Sequence, residues 1–283
     1  MEILLTVSFR VIPKLDIKGP NLVKGMHLEG LRVLGKPEKF AKYYYDQGAD
    51  ELIYQDVVAS LYKRNQLSSL TNKISNNTFV PIIVGGGIRN IKDIKETLIN
   101  GADRVSINTG AIENKNFVRD AVKIFGSSTI CISIETLKIE SEYKVFTDSG
   151  RTEINKNTFD WIKEVQDLGV GEIILTSINN EGTGKGYDIK LYEEASKITN
   201  VSLLAHGGVK NQSDVYEIFS KTDVDGAVIA SAFHFNYYKE LLDKKDIPLK
   251  GSTDFLKKNN NHQILFGINN LKEYLKKKKI TIR

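Results

Sequence analysis

Residues 80–94 read VPIIVGGGIRNIKDI, and residues 201–215 repeat the same pattern as VSLLAHGGVKNQSDV. In each segment a short run of apolar, largely β-branched residues ends at adjacent glycines. A stretch with helical spacing of apolar residues then follows. This order predicts a buried strand, a tight turn and a helix, which together form one β–α unit.

The likeness between these segments extends over most of the chain. GADELIYQDVVAS at 48–60 is similar to GVGEIILTSINNEG at 169–182. Glu51 and Glu172 are 121 positions apart, and Gly87 and Gly208 have the same separation. A constant offset between several segments indicates an internal duplication.

Eight strand-like runs alternate with amphipathic segments along the sequence. The predicted strands are 10–15, 51–57, 80–84, 103–108, 129–135, 171–177, 201–205 and 225–231. Eight such units predict an α/β fold: a single (β/α)8 TIM barrel over residues 1–283, built from duplicated half-barrels. Two segments depart from the plain pattern. We expect residues 138–153 to form a hairpin insertion after the fifth strand, and 239–270 a surface insertion before the last helix.

Composition limits the classes of function. The 283 residues are 41% hydrophobic and carry a net charge of +5, with much of the excess in KKKK at 276–279. There is no arginine-rich stripe with interleaved aromatics, so we expect no nucleic-acid partner. The single cysteine, Cys131, suits a reducing compartment. The N-terminal MEILLTVSFRVIPK lacks a basic leader and is too short to span a bilayer, which predicts a cytoplasmic protein with no membrane contact.

Two acidic residues end apolar runs at related positions in the two halves. We expect Asp16 to end the first strand and Glu135 the fifth, on opposite sides of an eight-stranded ring. Because reactive groups of this fold lie at the C-terminal ends of strands, the pair can divide general acid and base roles. Capping of loops is the structural alternative, and the symmetry of the two acids favours a catalytic role.

Glycine turns provide a second signal on the same face. GGG at 85–87 and HGG at 206–208 follow the third and seventh strands, and the next strands end in SINTG (106–110) and IASAF (229–233). Glycines let backbone N–H groups approach an anion closely. Two related turns therefore predict a small-molecule substrate with a phosphate at each end.

Charged residues of alternating sign begin four strands on the opposite face. They are Arg10, Glu51, Arg104 and Glu172. We expect them to form a ring of ion pairs that closes the barrel axis. At this stage a purely structural role and a functional one both remain open, since this face of the fold usually serves stability.

These segments carry a resemblance to a known family. VIPKLDIKGPNLVKG, GADELIYQDVVAS, PIIVGGGIRN, GADRVSINTGA, GEIILTSINNEGTGKGYD and ASAFHF together resemble the cyclase subunit of imidazole glycerol phosphate synthase, from about Arg10 to Phe235 and again in LKEYLKKKKITIR. The resemblance implies a glutaminase subunit docked at the N-terminal face of the barrel. It also implies ammonia channelled to a phosphoribulosyl formimino-aminoimidazole carboxamide nucleotide, which is converted to imidazole glycerol phosphate and an aminoimidazole carboxamide ribotide.

The resemblance also assigns roles to residues. Asp16 and Glu135 match the catalytic acids. The four charged residues of the N-terminal face match an ammonia gate. The substrate- and phosphate-binding positions are Lys24, Gly87, Asn108, Thr109, Glu181, Gly182, Gly208 and Ser231. The family implies neither a cofactor nor a metal.

The sequence departs from the family on the catalytic face. Glu135 stands where the family has Asp, Lys14 replaces a small residue, and His206 replaces Ser. In the loop after the sixth strand, Asn179 and Glu181 stand where acids are usual. These changes support an alternative: a paralogous ammonia-channel or adaptor subunit that supplies a sugar amidotransferase in surface-glycan biosynthesis. A stand-alone sugar-phosphate isomerase would leave the charged ring unexplained.

Overall fold

The computed structural model describes residues 8–59, 68–244 and 265–283, and a closed parallel barrel forms its centre. The described strands are β1 (Arg10–Lys18), β2 (Asn21–Met26), β3 (Glu29–Gly35), β4 (Leu52–Asp56), β5 (Ile82–Gly85), β6 (Arg104–Ile107), β7 (Ile130–Ile139), β8 (Glu142–Thr147), β9 (Thr152–Asn157), β10 (Glu172–Ser177), β11 (Ser202–His206) and β12 (Gly226–Ile229). The barrel order is β1-β4-β5-β6-β7-β10-β11-β12, and β12 pairs in parallel with β1. The predicted (β/α)8 barrel is therefore confirmed.

Helices surround the barrel and run antiparallel to its strands. The described α-helices are α1 (Pro37–Asp46), α2 (Ser68–Ser75), α3 (Ile91–Ile99), α4 (Thr109–Glu113), α5 (Lys115–Phe125), α6 (Thr158–Asp167), α7 (Ile189–Ser196), α8 (Gln212–Lys221), α9 (Ser231–Asp243) and α10 (Ile268–Lys277). The C-terminal end of a helix that returns to the next strand thus lies at the N-terminal face of the barrel, which we call the bottom face.

The duplication is visible in how two helices begin. Asn90 caps α3 and forms a reciprocal capping box with Asp93. Asn211 and Asp214, each 121 positions further on, form the same box at the start of α8. Each box satisfies backbone N–H groups that the first helical turn leaves free. Both glycine turns therefore lead into a helix whose start is fixed by the same local chemistry.

Side chains fill the barrel in layers. One buried cluster consists of inward-facing residues from seven strands: Ile12, Ile53, Ile83, Cys131, Ile174, Leu204 and Val228. Each lies one or two residues beyond the start of its strand, so the cluster is just above the bottom face. We call this cluster the inner apolar layer. The larger core lies outside it, between strands and helices.

Antiparallel hairpins extend two barrel strands at the opposite, C-terminal face, which we call the top face. β7 continues into β8 and β9, which cover the predicted insertion at 138–153 and continue to Asn157. β1 continues into β2 and β3 in the other half. The sequence patterns had not indicated this second hairpin. The two hairpins are counterparts within the duplicated halves.

Part of the expected surface insertion at 239–270 is helical. Residues 239–243 belong to α9, and residues 268–270 begin α10, so the prediction was wrong at both ends. Burial explains this, because Leu241 near the end of α9 and Ile268 at the start of α10 are both removed from solvent. Residues 245–264 lie outside the described residues. In the described part of the chain, no helix is both long and apolar enough to cross a membrane.

Candidate active site and charged ring

Asp16 and Glu135 occupy equivalent places on opposite sides of the barrel mouth. Asp16 pairs in parallel register with Gln55 on β4 and in antiparallel register with Val23 on β2. Glu135 likewise pairs with β10 on one side and β8 on the other. Both acids thus lie where barrel pairing passes into hairpin pairing. The strands continue beyond them to Lys18 and Ile139, so the expectation that these acids end their strands was wrong.

The Asp16 carboxylate lies between two ammonium groups. Lys14 Nζ donates a hydrogen bond to Asp16 Oδ1 over 2.6 Å, and Lys24 Nζ lies 3.8 Å from Oδ2. All three side chains are buried. Burial by itself would raise the pKa of Asp16, but the charges of Lys14 and Lys24 outweigh it and lower the pKa to about 2. Asp16 is therefore a carboxylate at any physiological pH.

Glu135 has a different environment. Its Oε2 accepts a hydrogen bond from the backbone N–H of Gly150, in the turn between β8 and β9, over 2.8 Å. Burial raises the pKa of Glu135 to about 7, and the Lys14 charge and the Gly150 hydrogen bond offset burial only in part. Glu135 can consequently hold or release a proton near neutral pH, which suits a general acid or base.

Lys24 and Glu181 connect the first hairpin to the loop after β10. Lys24 Nζ donates to Glu181 Oε1, and the Leu28 N–H donates to Glu181 Oε2 over 3.0 Å. Asn179 performs a similar role for the other hairpin, since its Oδ1 accepts from the N–H of Lys138 over 2.7 Å. Asn179 and Glu181 in this loop therefore hold the two hairpins at the mouth.

The first glycine turn opens into a pocket of about 400 Å³ beside Glu135. Gly87, Asn108 and Thr109 line it, as the sequence predicted for a phosphate site. Gly86 is held at φ +107, and a Cβ there would lie 2.5 Å from the Asp56 carbonyl oxygen. Within the described residues, buried Asn108 Oδ1 has no hydrogen-bond partner, which leaves it available to a polar ligand.

The second glycine turn opens into a related pocket of about 260 Å³. Glu181, Gly182, Gly208 and Ser231 line it. Helix α9 begins at Ser231, and no described side chain caps its first N–H groups, which can therefore bind an anion. At Gly208 the φ is +104, and a Cβ would lie only 2.0 Å from the Gly186 carbonyl oxygen. The close approach of these two backbones requires glycine at 208.

His206 faces this second pocket from the end of β11. It is 2% exposed, and its Nδ1 lies 3.1 Å from the Thr176 hydroxyl. Burial lowers its pKa well below the usual value, and the nearby Lys14 charge adds to the effect. A neutral His206 therefore borders the pocket in place of the smaller side chain expected from the family.

The four charged residues of the bottom face form a closed ring of ion pairs. Arg10 Nη1 lies 3.0 Å from Glu51 Oε1, and its Nη2 lies 2.7 Å from Glu172 Oε2. Arg104 Nη1 lies 2.6 Å from Glu172 Oε1, and its Nη2 donates to Glu51. Burial would lower the pKa of Arg10, but the two carboxylates raise it above its usual value. Each glutamate bridges both arginines, so the four side chains form one connected network.

The sequence patterns missed two contributors to these sites. Ser202 Oγ accepts from Arg10 Nη2 over 2.6 Å and donates to Glu172 Oε2 over 3.0 Å. Lys14 had been noted only as a departure from the family, although residues i and i+2 of a strand share a face and so place it beside Asp16. That spacing is the signal that would have revealed the pair.

The fold and site define a (β/α)8-barrel protein with opposed acids between two glycine-turn pockets and a charged ring at the other end of the barrel. The model of the histidine biosynthesis protein family matches residues 10–239, and the chain belongs to this family.

Curated proteins are similar in sequence to this chain over most of their own length. Proteins named imidazole glycerol phosphate synthase subunit HisF are similar to this chain. The one from Legionella pneumophila is 48% identical over 71% of this chain and 96% of its own length. Those from Bacillus cereus strain ATCC 10987 and from Hydrogenobaculum are 40% and 38% identical, over 80% and 89% of this chain and 90% and 97% of their own lengths.

Proposed function

We propose that this chain is an ammonia-dependent cyclase, the lyase-type subunit of an imidazole glycerol phosphate synthase. Its substrate is the phosphoribulosyl formimino-aminoimidazole carboxamide nucleotide, and its products are imidazole glycerol phosphate and an aminoimidazole carboxamide ribotide. The family and the HisF relatives support this assignment. The reaction joins ammonia to a two-phosphate nucleotide, so it needs two anion sites, acid–base groups between them and a protected supply of ammonia.

The arrangement of the top face carries the proposal. The two glycine-turn pockets follow symmetry-related strand pairs, and the opposed acids lie between them. In our proposal Gly87, Asn108 and Thr109 bind one phosphate. The other phosphate is bound by Gly182, Gly208 and Ser231. Binding of both phosphates holds the reacting centre of the nucleotide at the barrel mouth. Correct orientation of the reacting groups there increases the reaction rate.

Asp16 and Glu135 act there as the catalytic pair. The permanently ionised Asp16 stabilises positive charge on the reacting nitrogen, and Glu135 exchanges protons near neutral pH. Lys24 is placed to contact the substrate beside Asp16, and Glu181 fixes the Lys24 ammonium.

The bottom face supports a role in ammonia supply. The ring of Arg10, Glu51, Arg104 and Glu172 surrounds the barrel axis, and the inner apolar layer lies between it and the acids. Neutral ammonia enters an apolar layer at far lower cost than the ammonium ion, because charge is costly to desolvate. We assign the ring as the gate through which ammonia passes before it crosses the layer.

Three exposed apolar residues support docking of a glutaminase subunit at the same face. Phe79 precedes β5, Ile99 ends α3, and Ile124 lies in the last turn of α5. They are 79%, 72% and 59% exposed. Because α3 and α5 are packed neighbours that both end at the bottom face, and Phe79 precedes β5 at the same face, we call these three side chains the apolar rim of the bottom face. Such a rim suits a partner that covers the gate and excludes water.

The comparisons do not favour the alternative of an adaptor for a sugar amidotransferase, since the HisF relatives are named as synthase subunits. The departures Lys14, Glu135 and His206 are instead compatible with a cyclase site whose acids are tuned differently. A sugar amidotransferase partner is not part of our proposal.

Turnover of the nucleotide by the purified chain with excess ammonium salt tests the proposal. We expect both products in equal amounts, separated by chromatography. Asp16→Asn should abolish turnover, and Glu142→Gln, an exposed carboxylate on β8, should leave it unchanged. Absence of both products from the unmodified protein would contradict the proposed reaction.

A further inference from the structure

Lys14 is a second buried lysine in the barrel mouth, in addition to Lys24. Its side chain points inward from β1 and is 8% exposed, and the ammonium group contacts Asp16 Oδ1 at 2.6 Å. Lys24 already provides a positive charge for the substrate, and it is bound chiefly by Glu181. The Lys14 ammonium group is therefore directed at Asp16 rather than at either phosphate pocket.

The titratable groups around the mouth make the two acids unequal. They are Lys14 and Asp16 on β1, Lys24 on β2, Asp56 on β4, Glu135 on β7, Glu181 after β10 and His206 on β11; His234 on α9 packs outside the barrel against Phe40 and Tyr44. Within the part of the chain that the structure describes, both lysines lie within 4 Å of Asp16, whereas Glu135 forms no ion pair and accepts a hydrogen bond from a backbone N–H.

We propose that Lys14 is a positioning residue that keeps Asp16 a permanent carboxylate and thereby leaves Glu135 as the acid that carries the transferable proton. The catalytic role of the Glu135 proton rests on the proposed cyclase function. The charge states of Asp16 and Glu135 follow from the geometry of the mouth and do not depend on that function. Lys14 acts on the reaction through the two acids and does not itself contact the substrate phosphates.

The charges of the buried groups agree with this division. Ionisation of Glu135 adds a negative charge to a desolvated site, which explains why burial dominates its raised pKa. The Lys14 charge lowers the pKa of both acids, but it acts on Asp16 through a direct hydrogen bond and on Glu135 from a greater separation.

Carboxyl carbon NMR of protein labelled with ¹³C in Asp and Glu side chains tests this inference without any substrate. Asp16→Asn and Glu135→Gln identify the two signals. In the unmodified protein we expect no titration of Asp16 above about pH 4 and a Glu135 midpoint near pH 7. In Lys14→Met, both midpoints should move to higher pH, and Lys14→Arg should largely restore them.

Kinetics provide the second readout. At a fixed concentration of free ammonia, the ionisation that limits kcat/KM should move to higher pH in Lys14→Met and return in Lys14→Arg. A titration of Asp16 between about pH 5 and 8 in the unmodified protein, or identical midpoints with and without Lys14, would overturn the inference. If the NMR midpoints are as predicted but the protein does not turn over the nucleotide, the proposed function is contradicted and the charge assignment is still supported.

Discussion

Arg10 and Glu172 begin strands that are three places apart in the barrel ring, yet Arg10 Nη2 lies 2.7 Å from Glu172 Oε2. The contact therefore spans the barrel axis and is not made between neighbouring strands. Arg104 completes the crossing from the other side through Glu172 Oε1. Any molecule that enters the barrel from the bottom face must pass this pair of crossing contacts.

Glu172→Gln should separate the two sources of ammonia. The amide keeps the volume of the side chain but removes the charge that holds both arginines. In a complex with its glutaminase, we expect glutamine-dependent turnover to fall about tenfold or more, a change of about 1.4 kcal/mol in the barrier. Turnover with ammonium salt, which reaches the top face from solvent, should change little.

Ser202→Ala is the matched control for the ring. It removes the hydroxyl that contacts both Arg10 and Glu172 but keeps all four charges. We expect this variant to retain both activities. Equal loss of both activities in Glu172→Gln would instead indicate that the ring has a purely structural role.

The apolar rim of the bottom face predicts where a partner binds. Ile99→Asp should weaken binding of the glutaminase subunit about tenfold or more, because loss of an interface anchor commonly costs over 1 kcal/mol. Met26→Asp is the control, since Met26 is 44% exposed beside the top-face loop at Gly182. Calorimetric titration measures both affinities. A weaker complex with Met26→Asp and an unchanged one with Ile99→Asp would place the partner at the other face.

Gly208→Ala tests the second phosphate pocket. The added Cβ would lie 2.0 Å from a backbone oxygen of Gly186, so the turn must shift. We expect the KM for the nucleotide to rise about tenfold or more, because a small misplacement of binding groups is costly. Gly126→Ala shares a positive φ, +86, but has open space around it. It should carry only the backbone strain, about 1 kcal/mol, and should leave KM unchanged.

Glu135→Gln should change how stability depends on pH. Between the usual value of 4.5 and about 7, folded protein keeps a proton on Glu135 that unfolded protein has released. The free energy of unfolding therefore falls as pH rises through this window, by about 3 kcal/mol. Glu135→Gln has no proton to release in this window. The difference between its free energy of unfolding and that of the unmodified protein, measured in urea, should therefore shift in favour of the variant from pH 5 to pH 8. Parallel pH dependences of the two proteins would contradict a raised pKa.

The barrel and its two faces were predictable because they depend on short-range patterns. Short continuous apolar runs, glycine turns and the offset of 121 residues define the strands and the duplication. A residue's place at the start or end of a strand then assigns it to a face, which is enough to bring Arg10 and Glu172 to one end and Asp16 and Glu135 to the other.

The β2–β3 hairpin could not be predicted because its turn lacks the usual residues. His27 and Leu28 adopt φ values of +53 and +64, which Gly or Asn ordinarily supply. Contacts with the distant loop after β10 hold them there: His27 Nδ1 lies 2.7 Å from the Ile178 carbonyl oxygen, and the Leu28 N–H donates to Glu181. Tertiary structure, rather than local sequence, determines this turn.

The unequal charge states of Asp16 and Glu135 could not be predicted from the sequence either. They depend on which ammonium group reaches Asp16 and on the depth at which Glu135 is buried, and both follow from closure of the barrel and its hairpins. The identity of Glu135 as Glu rather than Asp had suggested a drifted reaction. The structure shows the longer side chain reaching the Gly150 N–H.

The most direct test of the central claim is the initial rate of nucleotide cleavage and ring closure by the purified chain alone, with saturating ammonium salt. We expect stoichiometric formation of imidazole glycerol phosphate and the carboxamide ribotide, lost in Asp16→Asn and in Glu135→Gln. Binding of the nucleotide in both glycine-turn pockets of the unmodified protein without its conversion would contradict the proposed reaction.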